Sequence, residues 1–299
     1  MDFVKDTIGL LQRTYDECGR VGRFKLFGKD MILFTGPDAH EALFRLPDEV
    51  LSPNAAYKMM VPVFGEGVAY GAEPARMAEQ MHMLYPALRN NRMRTYTEIV
   101  AKETSDIIEG WGDEGEIEAS EFFGMLTNFT SSSCLLGREF RNEMSEEFSK
   151  VYYDLERGIV AWGYIHPYLP IPAFRRRDRA RARLGEMVSE IVEKRRQSGY
   201  RGEDFLQTLM DSEYSDGSKL SDHEITGMLV AAMFAGHHTS SVTTAWTLIE
   251  LLRHPVFLDR VEREIQARYA DGEDYTYESL RDLEKTESAV KEALRIHPP

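Results

Sequence analysis

Apolar positions along this chain of 299 residues recur mostly at helical spacing, and the longest such run, 221–253, organises the rest. Ser221 followed three residues later by Glu224 is a capping box, in which each side chain satisfies an N–H that the first helical turn leaves free. His254-Pro255 ends the run, because proline cannot continue the hydrogen-bond ladder. At about 1.5 Å per residue such a helix is roughly 50 Å long. Positions 228–235 are apolar on nearly every side, which predicts burial all round. Gly236, His237, His238, Thr239 and Ser240 then interrupt it, a costly composition for a buried segment unless the polar groups find partners. Glycine adds roughly 1 kcal/mol of helix penalty but lets another group approach the backbone closely.

The remaining pattern is also helical. Residues 3–17 form an amphipathic helix, with Phe3, Ile8, Leu11 and Tyr15 near helical spacing. Segments 22–27 and 31–35 are short strands around the turn Gly28-Lys29-Asp30. Gly36-Pro37-Asp38 punctuates before a helix over 39–45. Helical periodicity returns at 75–110, 118–136, 144–158, 174–198 and 203–212, and after the long helix at 255–270 and 283–296. Residues 211–219, rich in Ser, Asp and Gly, form a surface loop. No internal repeat or low-complexity linker divides the chain. The fold class is mainly α with a small N-terminal sheet, over one unit, 1–299.

Composition narrows the function. Hydrophobic residues at 42% and charged residues at 29% fit a soluble globular protein. A net charge of −14 argues against nucleic acid as partner, since its binders carry basic faces. No run approaches 18 uninterrupted apolar residues, and the first 19 carry charges throughout, so neither a membrane span nor a signal peptide is expected. Two cysteines, Cys18 and Cys134, suit a reducing compartment and point to the cytoplasm.

Several stretches carry candidate chemistry. One reading of 236–240 is a kinked core helix with satisfied histidines and hydroxyls bonded back to carbonyls. A metal site is disfavoured, because adjacent histidines point about 100° apart on a helix and no histidine follows at i+4. Segment 57–70, from Tyr57 to Tyr70, combines Met59, Met60 and Phe64 with two glycines. It either seals an ordinary core or walls a pocket for a bulky apolar ligand. Glu156 closes a helix, and beside Arg157 it reads as half of a solvated surface pair. The run 174–183 looks polybasic, but interleaved apolar residues mark it as the solvated face of a helix. Glu292 and Arg295, at i,i+3, share one face of the last helix.

Together these motifs resemble the cytochromes P-450, the haem-thiolate monooxygenases. Ala235-Gly236-His237-His238-Thr239-Ser240 is similar to their oxygen-activation segment, and a histidine just before the threonine is characteristic of the sterol 14α-demethylases. In the same family Tyr57, Phe64, Gly65, Gly67, Val68 and Tyr70 match a substrate-recognition segment, with Gly71 standing where aspartate is usual. Glu292 and Arg295, followed by His-Pro-Pro, match the Glu-x-x-Arg element of the structural core beneath the haem.

The resemblance implies a monooxygenase that oxidises the 14α-methyl group of a sterol three times and releases it as formate. Electrons would come from NADPH through a ferredoxin or flavin reductase. Thr239 would support oxygen chemistry, with His238 and Glu156 delivering protons within hydrogen-bonding or ion-pair reach of each other. Tyr57 and His82 would donate to haem propionates, with Arg76 the closest substitute for a basic residue that is Ala78 here. Ala235 and Gly236 would lie against the haem, and Met59, Met60, Phe64, Tyr70 and Met81, with Tyr57, against substrate. The family's axial cysteine stands in Phe-x-x-Gly-x-x-x-Cys-x-Gly, well after Glu-x-x-Arg, and neither Cys18 nor Cys134 carries that pattern. The chain is therefore expected to be a fragment that binds haem weakly or not at all, with an open apolar concavity and no metal ligand of its own. The alternatives are a cytochrome P-450 acting on another lipid or terpenoid, and a non-catalytic helical ligand-binding remnant.

Overall fold

The computed structural model describes every residue except 1–4, 27, 48–49, 138–139, 142–144 and 271. Phe3, Phe27 and Met144, each part of an expected element, lie outside the described residues. Helices of seven or more residues are numbered here. Helix α1 (Thr7–Cys18) packs on an antiparallel pair, β1 (Val21–Leu26) and β2 (Lys29–Phe34), in the register Val21↔Phe34 to Leu26↔Lys29. Next come α2 (Pro37–Arg45) and two single-turn helices, Asn54–Tyr57 and Val61–Phe64. Proline opens α2 and α3 (Pro74–Leu84), where its missing N–H costs nothing.

The helical run expected over 75–110 is broken. Pro86 sits in a 3₁₀ turn, Tyr85–Leu88, between α3 and α4 (Asn90–Ile108), because a proline ring removes a donor and displaces the chain from a continuing helix. Then α5 (Ala119–Ser131) runs into a π-helical turn, Ser132–Leu136. Helices α6 (Ser145–Glu156), α7 (Pro172–Ser198), α8 (Phe205–Asp211), α9 (Asp222–Arg253), α10 (Pro255–Arg268) and α11 (Glu284–Ile296) complete the set.

Helix α9 is the axis, with α5, α7 and α11 packed along it. The core fills the space between α6, α7, α8 and the first half of α9, with Leu184, Met187, Ile191, Phe205, Leu209 and Met228 each at most 1% exposed. The polybasic run proves only partly solvated. Arg177 is 1% exposed, its guanidinium donating to the Pro167 carbonyl at 2.9 Å and to Asp178 at 2.8 Å. Further along α7, Arg195 makes a buried two-pronged contact with Asp204, the residue that caps α8. Burying such a pair costs desolvation, and breaking it by removing one partner costs about 3–5 kcal/mol.

Candidate functional site

Helix α9 begins as the sequence predicts. The Ser221 hydroxyl accepts from the Glu224 N–H while the Glu224 carboxylate accepts from the Ser221 N–H, which completes the capping box. Ile225, Met228, Leu229 and Met233 are buried. The expected all-round burial stops there. Ala235 is exposed, as are His238, Thr239 and Ser240, so Gly236, His237 and Ser241 form the more covered face of this stretch. The Thr239 hydroxyl donates back to the Ala235 carbonyl, and that of Ser241 to the His238 carbonyl.

The close approach anticipated at Gly236 occurs elsewhere. A Cβ on Gly236 would meet only the Ser131 hydroxyl, at 3.8 Å. A Cβ on Gly227 would stand 2.2 Å from the Phe64 carbonyl oxygen and 2.8 Å from Val68. Gly227 is thus what allows the 57–71 segment to lie directly on α9.

That segment is ordered by its neighbours. Gln80 on α3 is fully buried. Its side-chain oxygen accepts from the Ala69 N–H at 2.7 Å, and its amide donates to the Gly67 carbonyl at 2.9 Å and to the Tyr214 hydroxyl at 3.0 Å. Arg181 donates to the Phe64 carbonyl at 3.0 Å. Phe64, Val68 and Ala69 are core, and Phe64 meets Phe234 of α9 edge-on, ring centroids 6.1 Å apart. Tyr57 stacks on Tyr70 at 4.0 Å. Met59, Met60, Tyr70 and Met81 are half-buried, whereas Tyr57 and His82 are exposed. Arg76 is committed away from any such role. Its guanidinium lies over the Tyr214 ring and pairs with Glu224 at 3.6 Å and Asp216 at 3.7 Å.

On another side of α9 a cavity of about 1030 Å³ opens between α5, α6 and α9. Glu156, Tyr152, His237 and His238 all line it. The sequence pairs Glu156 with His238, but the contact falls on His237, whose Nε2 lies 3.9 Å from a Glu156 carboxylate oxygen. The reason is rotation. Neighbouring residues on a helix point about 100° apart, and this direction belongs to position 237. Burial pushes the Glu156 carboxyl up to about 7 from its ordinary 4.5, opposed by the Tyr152 hydroxyl nearby. That hydroxyl is itself buried and has no hydrogen bond of good geometry. Burial, with His238 adding repulsion, lowers the His237 pKa below 6.5. Arg157 is turned outward over the Tyr153 ring.

Near the end of the chain Glu292 and Arg295 form the expected pair, two hydrogen bonds of 2.7 Å on an exposed face. A second hollow, about 590 Å³, lies between α9, α10 and α11, with Glu292 on its wall. His297 stacks on Trp246 at 3.7 Å and meets Glu250 at 3.0 Å. Neither hollow is lined by Tyr57, Phe64, Tyr70, His82, Ala235, Gly236 or Thr239, the residues expected to wall the concavity. Cys18 is exposed on α1, and Cys134 is buried, its thiol pushed up to about 12 by burial. Among the described residues no cluster of three His, Cys, Asp or Glu could hold a metal ion, and no helix is long and apolar enough to cross a membrane.

Three contributors were not foreseen: His237 as the partner of Glu156, and Thr127 and Tyr152 around it. The only signal for Tyr152 was its position one turn before Glu156 on the same helix face.

Comparison with known proteins gives this geometry a context. The chain is 44% identical over 302 residues to a sterol 14alpha-demethylase of Mycolicibacterium vanbaalenii, covering 100% of this chain and 66% of that protein. It is 37% identical over 302 residues to a lanosterol 14-alpha demethylase of Rattus norvegicus, covering 99% and 60%, and 35% identical over 300 residues to a sterol 14-demethylase of Arabidopsis thaliana, covering 99% and 61%. The chain thus spans just under two thirds of the length of these curated relatives. A retinoic-acid-bound cyanobacterial CYP120A1 shares the fold with a TM-score of 0.84 at 20% identity, over 100% of this chain and 67% of that one. The family model for cytochrome P450 matches residues 4–299, and the chain belongs to that family.

Proposed function

We propose that the protein to which this chain belongs is a haem-dependent monooxygenase that removes the 14α-methyl group of a sterol. The observation that carries the reading is the 44% identity, over the whole chain, to a curated sterol 14alpha-demethylase. The Tyr57–Tyr70 segment supports it, since it supplies half-buried aromatic and methionine side chains suited to a rigid apolar ligand.

The family implies haem, and the residues present fit it in part. Exposed Tyr57 and His82 are donors of the kind an anionic propionate requires, and Ala235 and Thr239, one turn apart, offer uncovered small side chains on α9 with half-buried Gly236 beside them. Cys134 does not suit the iron: a buried thiol pushed up to about 12 is not a thiolate at neutral pH. When bound through a thiolate, haem supplies the electron density that favours O–O cleavage.

The chain's own residues then have separable tasks. The 57–71 segment and Phe234 exclude water from one side of α9. Glu156, ordinarily ionised, sits near 7 and so both holds and releases a proton at neutral pH, as a general acid or base needs. His237 lies next to it, and Thr239 presents its hydroxyl on the open face. The electron donor is proposed to be NADPH acting through a ferredoxin or flavin reductase.

The test compares residues 1–299 with the same chain extended by whatever coding sequence follows Pro299 in its gene. With a reductase and a 14α-methyl sterol, the extended protein should show the red-shifted carbon-monoxide band of a haem thiolate and release formate. The 299-residue chain should show neither. A thiolate band from 1–299 alone would mean that Cys18 or Cys134 ligates the iron. A thiolate band with no sterol turnover would assign the protein to another lipid substrate.

A further inference from the structure

One half-buried hydrogen bond outside the expected motifs bears on which nitrogen of His237 carries a proton. Thr127, on α5, is 9% exposed and lies opposite His237 across the α5–α9 interface. Its hydroxyl donates to the Phe123 carbonyl at 2.7 Å, with the Gly124 carbonyl at 3.2 Å sharing the same proton. A threonine hydroxyl has one proton to give and two lone pairs to receive with. With that proton committed to the Phe123 carbonyl, the contact with His237 Nδ1, at 3.0 Å, is satisfied when Nδ1 donates and a Thr127 lone pair accepts. A neutral imidazole protonated on Nδ1 has a bare Nε2, and Nε2 is the atom 3.9 Å from the Glu156 carboxylate.

We propose that Thr127 is a positioning residue that fixes His237 as its Nδ1–H tautomer, so that Nε2 is held ready to take a proton from the Glu156 carboxyl. The proton balance is simple. The Glu156 O–H bond breaks, directly or through one water spanning the gap, and an N–H bond forms at Nε2, leaving a carboxylate and an imidazolium. The cavity shared by both groups lets solvent return the proton to Glu156. Other charged or titratable groups on the cavity wall are Glu118, Glu121, Glu146, Lys150, Tyr152, Tyr153 and His238, and His237 is the one of them held by the Thr127 hydroxyl. The Tyr152 ring meets the His237 ring edge-on at 5.7 Å, which limits its rotation. Without the threonine, the opposite tautomer would be favoured, because an Nε2–H could then donate to the carboxylate.

The catalytic part of this inference rests on the function proposed above, so the experiment has two readouts. Nitrogen-15 NMR of the histidine-labelled chain, with His237 assigned from His237→Gln, should show Nδ1 protonated and Nε2 bare. Thr127→Ser should keep that tautomer, and Thr127→Val, similar in shape but without a hydroxyl, should shift it to Nε2–H. In the extended protein, Thr127→Val should lower kcat at least about tenfold with KM little changed, a loss in the range of a misdirected proton-transfer group, and Thr127→Ser should restore it. Nε2–H in the unsubstituted chain, or a tautomer unmoved by Thr127→Val, overturns the proposal. Should Thr127→Val fail to fold, the unsubstituted tautomer decides alone. The expected tautomer with no sterol oxidation in any form would overturn the proposed function and leave the tautomer assignment standing.

Discussion

Helix α9 contains two glycines nine residues apart, Gly227 and Gly236, that do opposite things. Around Gly227 the helix is core, and the absence of a side chain lets the Phe64 carbonyl and Val68 rest on its backbone. Around Gly236 the helix is open, with a single distant neighbour at the place a Cβ would occupy. The same residue type, on the same helix, is a packing requirement in one place and an unfilled allowance in the other. The stretch around Gly227 holds the fold, while the stretch around Gly236 presents polar groups to an open face.

The largest effect should come from the packed half. Met228→Ala, at a fully buried site, should cost about 2–5 kcal/mol, the range for removing a buried side chain that leaves a cavity. Chemical denaturation of residues 1–299 measures it, and a loss under 1 kcal/mol, well below that range, would mean this part of α9 is loosely packed. Gly227→Ala should cost about 1–3 kcal/mol through overpacking against a backbone oxygen that has little room to give. It should also loosen the 57–71 segment, seen as faster hydrogen exchange at Ala69. Gly236→Ala should do the reverse, stabilising the chain by up to about 1 kcal/mol, since it removes the helix penalty of glycine without a clash. If Gly236→Ala proves as damaging as Gly227→Ala, the contrast between the halves is wrong.

The smallest effect is one of pH. The Glu156 carboxyl is raised from 4.5 to about 7 in the folded chain, so between these values the folded state binds more protons than the unfolded state. Stability contributed by Glu156 is present below the ordinary carboxyl range and is lost as pH rises through about 7. His237, lowered below 6.5, acts in the opposite sense: it binds fewer protons when folded, and that penalty disappears once pH exceeds 6.5. The Glu156 loss therefore runs from 4.5 to about 7, offset by His237 only below 6.5. Relative to Glu156→Gln, the unsubstituted chain should lose Tm as pH rises to about 7 and run level above it. Parallel Tm profiles would remove the perturbed carboxyl from the account.

Much of the architecture was legible because local chemistry settles it. A capping box begins α9 and Pro255 ends it, whatever packs around them. The break at Pro86 was missed although the residue was visible, because apolar spacing on both sides continues at helical period and hides the interruption. Arg177 looked like one more cation on a solvated face, but a side chain's burial depends on what the next loop brings over it, here the Pro167 carbonyl. The choice between His237 and His238 was beyond periodicity for a similar reason. Which of two adjacent positions faces α6 is set by how α9 is rotated against α5, a property of the packed helices. Gly236 attracted attention through its motif, and Gly227 did not, since nothing in its immediate neighbours announces the carbonyl that lands on it.

The polar cluster between α6 and α9, Glu156 with His237, is assigned to chemistry and not to stability. That assignment is tested most directly by measuring sterol turnover and Tm together for Glu156→Gln in the extended protein. The account predicts turnover reduced about a hundredfold, within the usual contribution of a positioned acid or base, with Tm unchanged or raised above neutral pH. A lowered Tm with turnover intact would contradict it and make Glu156 a structural group.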